Sequence, residues 1–175
     1  MKTQRLYDEN AYLSEFSAVC LDCISADGFF KVVLDKTAFF PNMGGQPSDI
    51  GYIGDVFVFD VKFENDEIYH FTKEPLKKGE TISCKIDFDR RFLFMQNHTA
   101  EHIVSGIINR DYGLENVGFH LSEDFVTCDF SGILHALDLK EIENKANKKV
   151  WDNENVRAFY PIKNEIKNLK FRQKK

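Results

Sequence analysis

The predicted fold depends most on residues 90–102, which read Arg90-Arg91-Phe92-Leu93-Phe94-Met95-Gln96-Asn97-His98-Thr99-Ala100-Glu101-His102. Here the pattern changes from alternating, strand-like residues to helical periodicity. His98 and His102 are four residues apart, so on an α-helix both imidazoles lie on one face. Zinc binds neutral imidazole nitrogen, and a catalytic zinc site has about three protein ligands and an open position. The pair therefore indicates half of a metal site.

The neighbours of the pair indicate how this helix packs. Met95 and Gly106 fall on the histidine face, within about 80° of His98. The opposite face is aliphatic and comprises Ile103, Val104, Ile107 and Ile108. We therefore expect the aliphatic face to pack on a core while the histidines face a cavity. The alternative is a pair of histidines held by ordinary hydrogen bonds.

Composition indicates an ordinary globular protein. The 175 residues allow one large domain or two small ones, and a hydrophobic content of 43% is sufficient for a buried core. No apolar run reaches the ~18 residues of a membrane span, so we expect a cytoplasmic protein without a membrane partner. The four cysteines suit reduced thiols better than a disulfide framework.

The net charge of −5 argues against a large non-specific nucleic-acid surface. The final residues, 163–175, are nevertheless basic, with a single acidic residue at Glu165. This segment is either an arm that contacts phosphates or a solvated chain end.

Strand signals dominate the first 90 residues. Two hairpins are predicted, one with strands 16–24 and 29–34 around Asp27-Gly28, and one with strands 52–63 and 68–71. A further strand is predicted over 81–88. Short strands separated by tight turns are typical of a small barrel or meander.

Helical periodicity begins at residue 89 and continues to 110, and Gly113 is a suitable C-terminal cap. Further elements are predicted at 117–121, 125–130 and 156–160 as strands, and from Asp138 as a helix with a capping box. The sequence thus predicts an α+β fold with a β-barrel domain over 1–89 and an α/β domain over 90–175.

A second informative stretch covers residues 37–51, Thr37-Ala38-Phe39-Phe40-Pro41-Asn42-Met43-Gly44-Gly45-Gln46-Pro47-Ser48-Asp49-Ile50-Gly51. Paired glycines permit positive φ and let the backbone approach a ligand closely. Gln46 carries both a donor and an acceptor. This chemistry favours a loop that docks on a polar ligand or a neighbouring site, and the alternative is a tight barrel turn.

Together the two stretches resemble the editing domain of alanyl-tRNA synthetase and its free-standing AlaX relatives. In that family a loop of the form F-[YH]-P-x-G-G-G-Q-P-x-D-x-G precedes R-R-x-x-x-M-Q-x-H-T-x-Q-H by roughly forty residues. Residues 118–122 and 128–130 resemble the strand pair that follows, and residues 6–13 resemble the opening of the longer AlaX forms. Met43 replaces the first glycine of the triplet, and Glu101 replaces the usual glutamine.

The resemblance implies a fold and an activity. The fold is an N-terminal barrel similar to those of translation factors, followed by an α/β editing domain of the threonyl/alanyl-tRNA synthetase type. The activity is hydrolysis of tRNA(Ala) wrongly charged with serine or glycine, with the tRNA acceptor end as the bound partner.

The resemblance also assigns roles to residues. His98 and His102 are the expected zinc ligands. The catalytic candidates are Gln46, Glu101 and His120, and the substrate-binding candidates are Gly44, Gly45, Gln46, Asp49 and Thr99. Glu101 and His120 are expected near the amino acid, where a polar group can distinguish serine's hydroxyl from alanine's methyl.

The expected zinc site is incomplete. The family completes it with a C-x-x-x-H motif after a basic segment like residues 169–175, and this chain has no cysteine after Cys128 and no histidine after His135. The remaining Cys/His ligands of Zn²⁺ are therefore missing from this chain. We expect a fragment of a longer protein rather than a degenerate family member.

Two other functions stay open. His98-x-x-Glu101-His102 matches the H-x-x-E-H signature of one class of zinc peptidases, in which the glutamate is a general base. A non-catalytic tRNA-binding module with a relic metal site is the other alternative. The sequence does not predict an oligomeric state.

Overall fold

The computed structural model describes residues 2–157, 161–162 and 164–168. In chain order the strands are β1 (Gln4–Arg5), β2 (Glu15–Ala26), β3 (Phe29–Leu34), β4 (Lys36–Thr37), β5 (Gly51–Ile53), β6 (Val56–Glu64), β7 (Glu67–Thr72), β8 (Thr81–Ile86), β9 (Asn116–Leu121) and β10 (Val126–Phe130). The helices are α1 (Phe88–Tyr112) and α2 (Ala136–Trp151), with 3₁₀ helices at Leu6–Asp8 and Ile166–Asn168.

Contacts between residues divide the chain into two compact units. The first unit comprises the residues up to His98 together with His120–Thr127, and the second comprises Thr99–Phe119 and the residues from Cys128 onward. This division falls within α1, and it also cuts β9 before His120 and β10 after Thr127. The predicted domain boundary after residue 89 stays a prediction.

Six strands of the first unit form a closed antiparallel barrel in the order β2-β3-β7-β6-β5-β8. The predicted hairpin β2–β3 is confirmed, and its turn contains Gly28 with φ 77°. The β6–β7 hairpin turns at Asn65-Asp66, with φ values of 52° and 68°. Two positive φ values in a two-residue turn match the twist of the paired strands. The likeness to translation-factor barrels stays a prediction.

One predicted strand is wrong. Residues 52–63 form two strands, β5 and β6, instead of one. The chain turns at Gly54, which has φ 60°, and the Gly54 N–H donates to the carbonyl oxygen of Ser83 at 2.7 Å. Apolar residues lie on both sides of this turn, at 52–53 and 56–59, so periodicity alone does not reveal it.

The barrel encloses an apolar core. Buried and exposed side chains alternate along β5 and at the end of β8, as expected for a sheet with one buried face, whereas β3 and β7 each end in three consecutive buried residues. The buried core residues are Tyr7, Ala18, Cys20, Val32, Leu34, Ala38, Phe39, Ile53, Val58, Val61, Ile68, Cys84 and Ile86.

The second unit has a smaller core. Ile107 and Ile108 of α1 are buried with Ile142 of α2, and Ile103 and Val104 pack against them. The predicted aliphatic face of α1 is therefore confirmed. The helix ends at Tyr112, two residues later than predicted, and Gly113 caps it as expected, since Gly113 has φ 68° and its N–H donates to the carbonyl oxygen of Asn109 at 3.1 Å.

The predicted start of α2 at Asp138 is wrong by two residues. The helix begins at Ala136, and Asp138 caps it from within the first turn: its Oδ2 accepts the His135 N–H at 2.8 Å. The predicted strand at 156–160 lies mostly outside the described residues, as do most basic residues of the final segment. None of the helices within the described ranges is long and apolar enough to cross a membrane.

The β5–β8 pairing requires glycine at position 51. A Cβ on Gly51 would overlap the carbonyl oxygen of Lys85 and lie 2.9 Å from the Cα of Ile86. We expect Gly51→Ala to lower the free energy of unfolding by about 2–3 kcal/mol, because the strands must separate to admit a methyl group. Urea unfolding followed by circular dichroism measures this loss.

Gly106→Ala is the matched control for that substitution. Gly106 lies within α1, and a Cβ there meets no atom within 4 Å. Alanine is the better helix former, so this variant is expected to gain up to about 1 kcal/mol. Equal effects of the two substitutions would contradict the steric argument.

Candidate functional site

The glycine pair forms the tip of a tight turn. Met43 and Gln46 exchange two backbone hydrogen bonds of 3.2 Å, and between them Gly44 and Gly45 have φ values of 66° and 84°. Glycine adopts such values without steric cost. Positive φ is confined to these two positions in the turn, so the turn forms although Met43 replaces the first glycine of the motif.

A buried ion pair holds the base of this loop. The Arg91 Nε donates to the Asp49 oxygens at 2.8 and 2.9 Å, and Nη2 also donates to Asp49 Oδ2. Asp49 Oδ2 accepts the Phe40 N–H at 2.6 Å. The guanidinium also donates to the carbonyl oxygens of Ala38 at 2.6 Å and Ala11 at 3.0 Å. Arg91 thereby joins α1 to both ends of the loop.

Asp49 was expected to bind substrate, and its surroundings favour a structural role. It is 1% exposed, and both of its oxygens accept hydrogen bonds from Arg91. The neighbouring Arg90 adds a second link, because its Nη1 donates to the carbonyl oxygen of Ser48 at 2.7 Å. Sequence reasoning missed both arginines as loop anchors, although the Arg-Arg pair at the start of a helix is a visible signal.

The structure brings Gln46 and His98 together. His98 Nδ1 lies within hydrogen-bond distance of Gln46 Oε1, at 2.9 Å, and Gln46 is only 5% exposed. The adjacent Gly45 carbonyl oxygen accepts the Leu121 N–H at 3.2 Å. His120, which precedes Leu121 in β9, is exposed. Three separated stretches of sequence thus meet at one turn within the first unit.

In the second unit, Glu101 is the centre of a buried polar cluster. It is 5% exposed, and its Oε1 accepts hydrogen bonds from the Ser105 hydroxyl and from Asn116 Nδ2, the latter at 2.6 Å. Its Oε2 lies 3.4 Å from Nδ1 of His102, whose side chain is 67% exposed. Sequence reasoning missed Ser105 and Asn116, and only the i,i+4 spacing of Glu101 and Ser105 is a signal for them.

The roles of the remaining predicted site residues stay predictions. Thr99 is partly buried on α1 directly after His98. The substrate-binding role of Thr99 and the catalytic roles of Gln46, Glu101 and His120 stay predictions. Gln46 contacts His98, and Glu101 lies close to His102.

The chemistry of the two histidines suits a metal ligand pair. On each ring Nδ1 faces an oxygen atom, Gln46 Oε1 for His98 and Glu101 Oε2 for His102. Zinc-binding histidines are commonly oriented by such oxygens, which leave Nε2 for the metal. Over the part of the chain that the structure describes, however, no group of three or more His, Cys, Asp or Glu side chains is arranged to hold a metal ion. The role of His98 and His102 as zinc ligands stays a prediction.

Comparison with known proteins finds alanyl-tRNA editing proteins and alanine–tRNA ligases as relatives. The chain is 36% identical over 173 residues to the alanyl-tRNA editing protein AlaX-M of Methanosarcina acetivorans, covering 90% of this chain and 69% of the relative. It is 33% identical over 152 residues to AlaX-L of Pyrococcus horikoshii, covering 83% of this chain and 38% of the relative. The alanine–tRNA ligase of Halobacterium salinarum is 37% identical over 94% of this chain.

No protein-family model matches the chain. The chain spans 38% of the length of the AlaX-L relative and 19% of the length of the ligase. It covers more than two thirds of the AlaX-M relative, at 36% identity. Two motifs and their meeting at one turn agree with that match, and the chain therefore belongs to the family of alanyl-tRNA editing proteins of the AlaX type.

Proposed function

We propose that this chain functions in alanyl-tRNA editing, as an aminoacyl-tRNA hydrolase that removes serine or glycine wrongly attached to tRNA(Ala). The observation that carries the proposal is the hydrogen bond between Gln46 and His98. It joins the glycine loop to the histidine helix across 52 residues of sequence. Both stretches are the ones that define the family resemblance.

The reaction requires water to attack the ester carbonyl carbon between the amino acid and the terminal ribose. A proton acceptor near that water and close backbone approach to the substrate are the two requirements that these residues can meet. His98 Nδ1 lies 2.9 Å from Gln46 Oε1, and a proton on Nδ1 would leave Nε2 as the basic nitrogen of the ring. Gly44 and Gly45 carry no side chains and allow a polar acceptor end to lie against the turn.

Zinc is part of the proposal. His98 and His102 lie one turn apart on α1 and would hold the ion through their Nε2 atoms. When bound, zinc supplies a Lewis acid that orients the aminoacyl group or lowers the pKa of a bound water towards ~7. A third protein ligand is not among the residues that the structure describes.

The competing zinc-peptidase function receives little support from Glu101. A general base must reach the water that it deprotonates. Glu101 is buried, and its Oε1 already accepts two hydrogen bonds from Ser105 and Asn116. The carboxylate is therefore placed to support α1 and His102 instead of facing a substrate.

The test is release of serine from Ser-tRNA(Ala) by micromolar protein with added zinc. We expect hydrolysis of Ser-tRNA(Ala) with Ala-tRNA(Ala) spared, and a 10- to 100-fold loss of rate in His98→Ala, because an orienting contact or ligand is removed. His135→Ala, which changes an exposed histidine at the start of α2, is the matched control and should retain the rate.

Two results would contradict the proposal. If the chain leaves both Ser- and Gly-tRNA(Ala) intact, this chain is not an editing hydrolase by itself. If it binds the tRNA under those conditions without turnover, the binding-module alternative is supported.

A further inference from the structure

Gln46 occupies a position that is fixed from several sides. Its backbone exchanges two hydrogen bonds with Met43, and the preceding Gly45 is bonded to Leu121. Three residues later, Asp49 is held by Arg91. The Gln46 side chain is buried, so its amide has little freedom to leave His98. A side chain fixed in this way can orient the ring that it contacts.

The contact specifies which ring nitrogen of His98 carries the proton. A neutral imidazole has one N–H and one unprotonated nitrogen, and a partner on one nitrogen decides the tautomer. An amide oxygen only accepts hydrogen bonds. Because Gln46 Oε1 lies 2.9 Å from Nδ1, the ring is favoured with its proton on Nδ1. The lone pair is then on Nε2.

We infer that Gln46 is a positioning residue that holds His98 in the Nδ1–H tautomer and so keeps Nε2 unprotonated for a substrate, water or metal. Gln46 acts through His98 and does not itself need to touch the reacting atoms. This assigns a physical role to the glutamine of the Gly-Gly-Gln motif: Gly44 and Gly45 shape the turn, and the turn delivers the amide oxygen to the ring. The consequence for catalysis rests on the proposed editing function, whereas the tautomer itself does not.

The tautomer can be read directly in the full chain. The measurement is a long-range ¹H–¹⁵N correlation spectrum of ¹⁵N-labelled, chelator-treated protein at pH 8, with the His98 signals assigned by their absence in His98→Ala. We expect the wild-type spectrum to show an unprotonated Nε2 and a protonated Nδ1. A wild-type spectrum with the proton on Nε2 would overturn the inference even if every variant at position 46 failed to fold.

Substitutions at position 46 separate orientation from mere packing. Gln46→Met keeps the length of the side chain but lacks the acceptor, and we expect the ratio of Nδ1–H to Nε2–H to fall about fivefold, the effect of one hydrogen bond. Gln46→Glu provides an acceptor without a donor and should restore the wild-type tautomer. Gln96→Met, at an exposed position on α1, is the matched control and should leave the ratio unchanged.

The outcomes are distinct. An unchanged ratio in Gln46→Met, or a switch to Nε2–H in Gln46→Glu, would show that Gln46 does not hold the proton on Nδ1. If the tautomer behaves as expected but Ser-tRNA(Ala) is not hydrolysed, the positioning role stands and the editing proposal fails. Hydrolysis that survives in Gln46→Met with a reversed tautomer would show that the tautomer has no catalytic consequence.

Discussion

Replacing Arg91 by methionine is expected to lower the free energy of unfolding by about 3–5 kcal/mol. The substitution leaves the Asp49 carboxylate buried, where it has lost its three hydrogen bonds from the guanidinium. It also removes donors from the carbonyl oxygens of Ala11 and Ala38. An uncompensated buried charge and the unsatisfied carbonyl oxygen of the buried Ala38 explain the size of the loss.

Urea unfolding of two further variants tests this explanation. Asp49→Asn combined with Arg91→Met removes both charges, so the double variant should recover part of the loss. Lys85→Met removes an exposed pair with Glu15 and is expected to change the free energy of unfolding by less than about 1 kcal/mol. If Arg91→Met were no more harmful than Lys85→Met, the ion pair would not anchor the loop.

The second large effect is a loss of folding stability at low pH, caused by the buried His70. His70 is fully buried in the barrel, where its Nδ1–H donates to the Val32 carbonyl oxygen at 3.1 Å and its Nε2 lies 2.8 Å from the Thr37 hydroxyl oxygen. Burial lowers the pKa of His70 from its usual value near 6.5 to about 4. The folded barrel therefore holds a neutral imidazole well below the pH at which an exposed histidine becomes charged.

The sign of the effect follows from proton binding. Between pH 6.5 and 4 the unfolded chain binds a proton at His70 and the folded chain does not. The contribution of His70 to the free energy of unfolding is therefore fully present above pH 6.5 and is lost as the pH falls towards 4. Over the whole window the loss from this residue is about 3 kcal/mol. Between pH 7.5 and pH 5 we expect about 2 kcal/mol of it.

Urea unfolding at these two pH values measures that decrease. His70→Gln keeps a polar side chain that does not titrate, so its stability should depend less on pH, although its absolute stability is lower. His135→Ala is the control, since an exposed histidine should leave the wild-type pH dependence intact. Identical pH dependence in wild type and His70→Gln would show that His70 is not the acid-sensitive group.

The sequence correctly predicted those structural features that are determined by residues close together in the chain. The Asp27-Gly28 hairpin, the glycine that ends α1 and the aliphatic face of that helix depend on a few neighbouring residues. The turn at Gly54 was missed because apolar residues lie on both sides of it, at 52–53 and 56–59. Leu139 and Val150 lie at helical spacing from the buried Ile142 on α2, yet both are exposed, because helical periodicity does not reveal how much of a face is covered.

For the candidate site too, contacts between residues distant in sequence could not be predicted. The two motifs predicted that the glycine loop and the histidine helix belong together, and the Gln46–His98 contact agrees with this. The role of each polar residue depended on partners distant in sequence. Asp49 is paired with Arg91, 42 residues away, and Glu101 accepts from Asn116, which is 15 residues away. A single sequence contains no local signal for such pairings.

The hydrogen bonds at the Gly44-Gly45 turn have a thermodynamic consequence. Because Gln46, Gly45 and Asp49 are each already bonded to another part of the first unit, this turn has little conformational entropy left to lose when a ligand arrives. Discrimination between ligands of different size would then depend on the shape that the Gly44-Gly45 turn already has before a ligand binds. Closure of a mobile flap would not be required.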